Sequence, residues 1–516
     1  MSTTHAGPAS APPRFRLADR ATGLLLHPTS LPGPHGCGDL GPAAREFVHF
    51  LAAAGVRWWQ MLPIGPTPPD GAPYSSTSAF AGNPLLVSLE QLAADGLLTP
   101  QDLASAALPS HDRADYRAAL AVRLPRLRVA FRCFVADGGL RSTGFGAFLA
   151  TEGAWVMPWA LYEALRRRHG GRPWPTWRSH RARRALSSLR QDVEFALFVQ
   201  YAFHTQWAAL RSYAAARGVG LLGDIPIFVA HDSCDVWSNP HLFDLHPDGR
   251  PRTVSGVPPD LFSRTGQLWG HPQYRWDVHA ASGFAWWVAR FRRMRALFDA
   301  VRIDHFLGFN RVWAVPGGAK TARRGRWVTT PGRALFARLR RVLGPLEVVA
   351  EDLGILTPAA AALRDACGFP GMRILQFAFG GDDPGSRYHQ PHTYPRACVV
   401  YPGTHDNDTA VGWFQSLRAQ RRNTPRGVRT AYDRVRAYLG TDGRAIHRDL
   451  VRLALASPAN LAVIPVQDVL GLDNRARMNR PATTRGNWVW RMRPGALTPA
   501  HARWLRELNE VYDRRR

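Results

Sequence analysis

The sequence predicts an α/β fold, a (β/α)8 barrel with helical and irregular insertions. Three observations carry this expectation. Short apolar runs alternate with helical patterns, as in a parallel sheet covered by helices. The runs number about eight, the count that closes a barrel. The chain has 516 residues, 45% hydrophobic and 10% aromatic, enough to bury one large core.

Thr22 to His27 reads as the first strand, stopped by Pro28. Phe47 to Ala54 reads as a helix closed by Gly55, and Trp58 to Leu62 as a second strand ending at Pro63. The stretch from about 91 to 190 is polar and helical in pattern, with turns such as Arg172-Pro173-Trp174-Pro175, and is expected to be a mostly helical insertion. Gly220 to Ile227 is a third strand. After it, residues from about 231 to 282 are rich in Pro, Gly, Asp and Trp, and are expected to form an irregular, loop-rich excursion beyond a strand end. Barrel enzymes place specificity in such loops. Ala300 to Ile303, Glu347 to Ala350, Gly371 to Phe377, Ala397 to Tyr401 and Leu461 to Pro465 supply the remaining strands. Residues 1–20, polar and carrying Pro12-Pro13, are expected to be a disordered tail, leaving 21–516 as one interrupted barrel.

The formal net charge is +27, almost all of it arginine, since Lys320 is the single lysine. The arginines are spread along the chain without an aromatic-interleaved nucleic-acid motif. They are expected on solvated helix faces, with only weak, non-specific polyanion binding at low salt. Cys37, Cys133, Cys234, Cys367 and Cys398 are odd in number and widely spaced, which suits a reducing compartment better than a disulfide framework or a zinc site. No run is long enough to span a bilayer, and the start lacks a signal-peptide core. These features predict a cytoplasmic protein, with a monomer as the default state. Eighteen tryptophans fit a large core and also fit sugar binding, where C–H faces pack on indole.

Three carboxylate motifs end apolar runs: Arg302-Ile303-Asp304-His305-Phe306, Glu351-Asp352-Leu353-Gly354 and Thr404-His405-Asp406-Asn407-Asp408. Glycosidic cleavage with retention needs a nucleophilic carboxylate and a second carboxyl acting as acid and then base, about 5 Å apart. Arg302 and Asp304 lie two apart on a strand and share a face. The guanidinium would keep Asp304 ionised, as a nucleophile requires; a purely structural ion pair is the alternative. Glu351 sits at the mouth of Val348-Val349-Ala350, where partial desolvation raises a carboxyl pKa and suits a general acid. Asp352 is its rival, although its place near Gly354 is that of a turn residue. His405 and Asp406 suit sugar-hydroxyl binding. A metal is disfavoured, because adjacent residues do not easily converge on one ion. Tyr74, in Pro73-Tyr74-Ser75-Ser76, and Gln267 with Trp269, in Gly266 to Gly270, suggest a glucan groove, the latter pair on a mobile loop.

The chain resembles the 4-α-glucanotransferases of glycoside hydrolase family 77, in the α-amylase clan, from about Leu25 to Arg491. The resemblance runs through Leu26-His27-Pro28-Thr29-Ser30-Leu31-Pro32-Gly33-Pro34, Ser78 to Pro84, Gly256-Val257-Pro258-Pro259-Asp260, Thr265 to Gly270, Arg302 to Phe306, Phe369 to Met372, Gly403 to Thr409, Arg477-Met478-Asn479-Arg480-Pro481 and Gly486-Asn487-Trp488. It implies a barrel without a separate C-terminal β-domain. It implies a double displacement with Asp304 as nucleophile, Glu351 as acid/base and Asp406 as transition-state stabiliser. Tyr74, Asp232, Gln267, Trp269, Arg302, Asp382, His405 and Asn474 fall on or beside positions similar to the family's glucan contacts. The implied substrates are maltooligosaccharides and other α-1,4-glucans derived from starch or glycogen, with glucose as an acceptor and no cofactor. The loop from Gly256 to Gly270 is the expected acceptor lid. Leu261 stands where the family commonly has Tyr, which bears on acceptor preference rather than on the reaction. A predominantly hydrolytic amylase-type enzyme and a non-catalytic glucan-binding protein are the competing expectations.

Overall fold

The computed structural model describes residues 15–109, 111–177, 186–259, 263–381, 384–425 and 427–515. Among them are twelve strands: β1 (Ala21–Leu25), β2 (Trp58–Gln60), β3 (Gly220–Pro226), β4 (Thr253–Val257), β5 (Gln267–Pro272), β6 (Ala300–Asp304), β7 (Arg311–Pro316), β8 (Arg326–Thr329), β9 (Val348–Ala350), β10 (Gly371–Ile374), β11 (Cys398–Tyr401) and β12 (Leu461–Pro465). Eight of them close a barrel in the order β1-β12-β11-β10-β9-β6-β3-β2. Every neighbouring pair is parallel, including the β1–β12 seam. These are the eight runs expected from the sequence. Their near-continuous burial is what a parallel sheet buried on both faces demands.

Between β2 and β3 the chain runs through helices Leu89–Ala94, Pro100–Ala104, Tyr116–Ala136, Thr143–Arg168 and Leu186–Ala216. The longer helices pack on the barrel: Phe131, Phe195, Phe198 and Trp207 belong to the same apolar cluster as Val48, Trp59 and Leu221.

Two expectations need correction. The excursion at 231–282 is not simply irregular. β4 and β5 pair antiparallel within a four-stranded sheet, β5-β4-β7-β8. β4 and β5 form a local hairpin, and its docking on β7 and β8, which lie beyond the stretch, completes the sheet. Trp269 accordingly stands on a strand rather than a mobile loop. Leu261 lies outside the described residues, as do residues 1–14 of the expected tail. Residues 15–20 of that tail are ordered by packing: Phe15 is buried against Trp58 at 5.7 Å, and Leu17 N–H donates to Glu347 at 2.8 Å. No helix among the described residues is long and apolar enough to cross a membrane.

The seam between first and last strands is held from the C-terminus. Arg514 is fully buried and donates to the carbonyls of Ala21, Ala454, Leu455, Ser457, Ala459 and Asn460. Two of these end the helix Ile446–Ala456, where a cation is favoured. Arg514→Ala orphans these acceptors and should cost about 3–5 kcal/mol of stability, seen as an earlier urea midpoint. Arg515→Ala, at an exposed ion pair with Glu510, should leave the midpoint in place.

Candidate active site

The C-terminal ends of β3, β6, β9 and β11 bring the acids together. Register places Asp224 of β3 beside Arg302 of β6, and Ile303 of β6 beside Ala350 of β9. Asp304 and Glu351 are each the next residue along, so they end neighbouring strands.

Arg302 is the hub. One nitrogen donates to Asp304 Oδ1 at 2.8 Å and the other to Asp224 Oδ2 at 2.6 Å. The Tyr74 hydroxyl donates to the same Asp224 oxygen at 2.8 Å. Arg302 and Asp224 are buried, whereas the Asp304 side chain keeps a third of its surface open. A fixed cation beside a part-exposed carboxylate leaves one Asp304 oxygen available to a ligand.

Glu351 is buried. Its two oxygens accept main-chain N–H groups, from His305 at 2.7 Å and Leu353 at 2.9 Å. Burial raises its pKa; Arg302 opposes this and the Asp304 charge adds to it, bringing the group to about 8. It therefore holds its proton at neutral pH. Asp352 is not in competition, nor is it a turn residue. It is buried beneath Arg364, accepts from Tyr388 at 2.9 Å, and takes the Met372 N–H at 2.8 Å.

On the opposite side, His405 stacks on Tyr74 at 5.3 Å and lies against Trp488 at 5.9 Å. Its Nε2 is 3.3 Å from Asp406. Burial lowers the His405 pKa, with the Asp406 charge pulling the other way. Asp406 Oδ1 accepts from Asn479 at 2.6 Å, and Arg477 ties the Asp406 carbonyl and the Asp408 carboxylate from beneath. Trp269 closes the near wall, edge-on to His305 at 4.8 Å, with its indole N–H 3.4 Å from Gln267 Oε1.

Thus Tyr74, Arg302, Asp304, Glu351, His405 and Asp406 line one constellation, with Trp269 and Gln267 beside it. Two other expected contacts also brace the structure around the site. Asp232 Oδ1 accepts from the Tyr162 hydroxyl and the Trp174 N–H, fastening its loop to the helical insertion. Asn474 Oδ1 accepts the Thr409 N–H, supporting the Asp406 segment from behind. Asp382 lies outside the described residues. Sequence reasoning missed Asp224 and Asn479. A lone acid inside the apolar run Gly220 to Ile227 was the available signal for Asp224. Asn479 carried none beyond membership of its motif. Among the described residues no group of three or more His, Cys, Asp or Glu is placed to hold a metal.

Residues 26–498 match the family model described as 4-alpha-glucanotransferase. A 4-alpha-glucanotransferase of Thermus thermophilus is 46% identical over 96% of this chain and 99% of its own length. The chloroplastic/amyloplastic 4-alpha-glucanotransferase of Solanum tuberosum is 40% identical over 96% of this chain and 86% of its own. The solved structure of an amylomaltase from Streptococcus agalactiae in complex with acarbose superposes with a TM-score of 0.90 at 35% identity, covering 96% of this chain and 99% of that one.

Proposed function

The chain belongs to the 4-α-glucanotransferase family, and from that premise we propose that it transfers α-1,4-glucan segments by a double displacement through a glucosyl ester of Asp304. The observation that carries this is the register of β6 on β9. That register ends the neighbouring strands in Asp304 and Glu351, side by side as the paired carboxyls of a retaining enzyme must be.

Asp304 Oδ attacks the anomeric carbon while the Glu351 proton passes to the departing glycosidic oxygen. The C–O bond to the reducing-side sugar breaks and an ester forms. Esterification removes the Asp304 charge, one of the influences that raises the Glu351 pKa. Glu351, now a stronger acid and ionised, takes the proton of an acceptor 4-OH, and the second displacement frees Asp304. Asp406 and His405 bind hydroxyls of the reacting sugar, bonds that strengthen as oxocarbenium charge develops. Arg302 holds the nucleophile through its 2.8 Å bond to Asp304 Oδ1. Its Asp224 and Tyr74 partners hold that guanidinium in place.

Donors are maltooligosaccharides and longer α-glucans; acceptors are glucose or maltooligosaccharides. Transfer outruns hydrolysis when an acceptor groove excludes productive water. The strand pair β4–β5, which carries Gln267 and sets Trp269 against His305, is the wall that does so. Five free cysteines support a cytoplasmic setting in glycogen or maltodextrin metabolism.

Maltotriose separates the two enzymatic alternatives. Transfer yields glucose plus longer maltooligosaccharides at constant total reducing ends. A steady rise in reducing ends without longer products would instead assign a hydrolase.

A further inference from the structure

The turn after Asp304 is built on an unfavourable backbone. His305 adopts φ 51° and ψ 52°, a left-handed conformation that is unfavourable for a non-glycine residue. Such strain persists where surrounding contacts over-determine it, and here they do. Glu351 N–H donates to the Ile303 carbonyl at 3.0 Å, and Phe306 N–H donates to the Glu351 carbonyl at 2.9 Å. These two bonds clasp the strand ends on either side of His305. Between them, the His305 N–H leaves the strand ladder and reaches Glu351 Oε2 at 2.7 Å. Gly308 makes room for the turn: a methyl there would stand 2.6 Å from Ile227 and 3.1 Å from the His305 ring. The ring itself makes an edge contact with Trp269.

We propose that His305 is a positioning residue whose left-handed main chain, rather than its imidazole, aims the N–H that holds the Glu351 carboxyl beside Asp304. This rests on Glu351 being the acid/base of the reaction. The nucleophile and the residue that positions its partner are then consecutive in sequence. One turn fixes both carboxyls, and a shift at 305 changes their relative placement.

Ring and backbone are separable by substitution. Glycine and asparagine accept the left-handed region readily, alanine pays for it, and β-branched valine is strongly disfavoured there. The test compares His305→Gly, His305→Asn, His305→Ala and His305→Val on a maltooligosaccharide and on α-maltosyl fluoride, whose fluoride departs without being protonated. His305→Val should lower kcat/KM on the oligosaccharide by on the order of 100-fold, while the first-turnover burst of fluoride stays near that of the parent enzyme. The basic limb of its pH profile should move upward, because losing an N–H donor disfavours the carboxylate form of Glu351. His305→Gly and His305→Asn should recover most of the lost turnover.

Equal impairment of the Gly and Val variants would overturn the proposal in favour of the ring. Equal loss on both substrates would make the residue merely structural. Should His305→Val fail to fold, the Gly and Ala pair decides, since both lack the ring and only alanine bears the backbone cost. Glu351→Gln serves as the reference. If it lost the fluoride burst as severely as oligosaccharide turnover, the assignment of Glu351 would fail, whatever His305 does.

Discussion

Replacing Asp304 by asparagine should abolish glucan transfer, lowering kcat/KM on maltotriose by at least about 10⁴-fold while the protein stays folded. The magnitude follows from what the carboxylate does. An amide has nearly the same shape but no charge with which to open the anomeric carbon, and no ester can form. Everything around it survives. Arg302 retains its bond to Asp224, and that acid retains Tyr74. The side chain is a third exposed, so the substitution buries no unpaired group. Initial rates of maltotriose disproportionation, with a melting curve alongside, check this. A variant within tenfold of the parent rate would place the nucleophile elsewhere.

Glu351→Gln should lower the same rate by about 10²–10⁴-fold, the usual range for losing a positioned general acid, and should also remove a limb of the pH profile. The sign is set by which form works. The first displacement uses protonated Glu351, and burial holds its pKa at about 8. In the parent enzyme kcat/KM therefore stays level as pH rises toward 8 and falls beyond it. Glutamine does not titrate, so its residual rate should show no such fall. Profiles between pH 6 and 10 for the two proteins provide the comparison. A parent enzyme with no decline above pH 8, or a variant that keeps that decline, would assign the limb to another group.

Much of this was legible in the chain. The eight barrel strands announced themselves because each is a short apolar run ended by Pro, Gly or a polar motif, and these signals are local. Asp304, Glu351 and Asp406 were conspicuous as acids at the ends of such runs. The sheet β5-β4-β7-β8 was hidden because its two hairpins, β4–β5 and β7–β8, are joined through β4–β7, strands more than fifty residues apart, and the first hairpin lies in a stretch rich in Pro and Gly. Asp352 was misread for a related reason: proximity to Gly354 suggested a turn, whereas its partners Arg364, Met372 and Tyr388 come from the following helix, strand and helix. Asp232 and Asn474 were named from their motifs, and the contacts they also make, to Tyr162 and Trp174 and to Thr409, come from segments that no local pattern joins to them.

The amino-acid order by itself determined a parallel barrel and the acids that crown its strands, since periodicity, stop residues and side-chain chemistry are properties of short segments. Only the tertiary structure decided which acid answers which. Asp224 meets Arg302, 78 positions later in the chain, and Glu351 receives its N–H from a residue 46 positions earlier. Strand register makes those meetings, and the protonation of Glu351 follows from the burial and neighbouring charges that register creates.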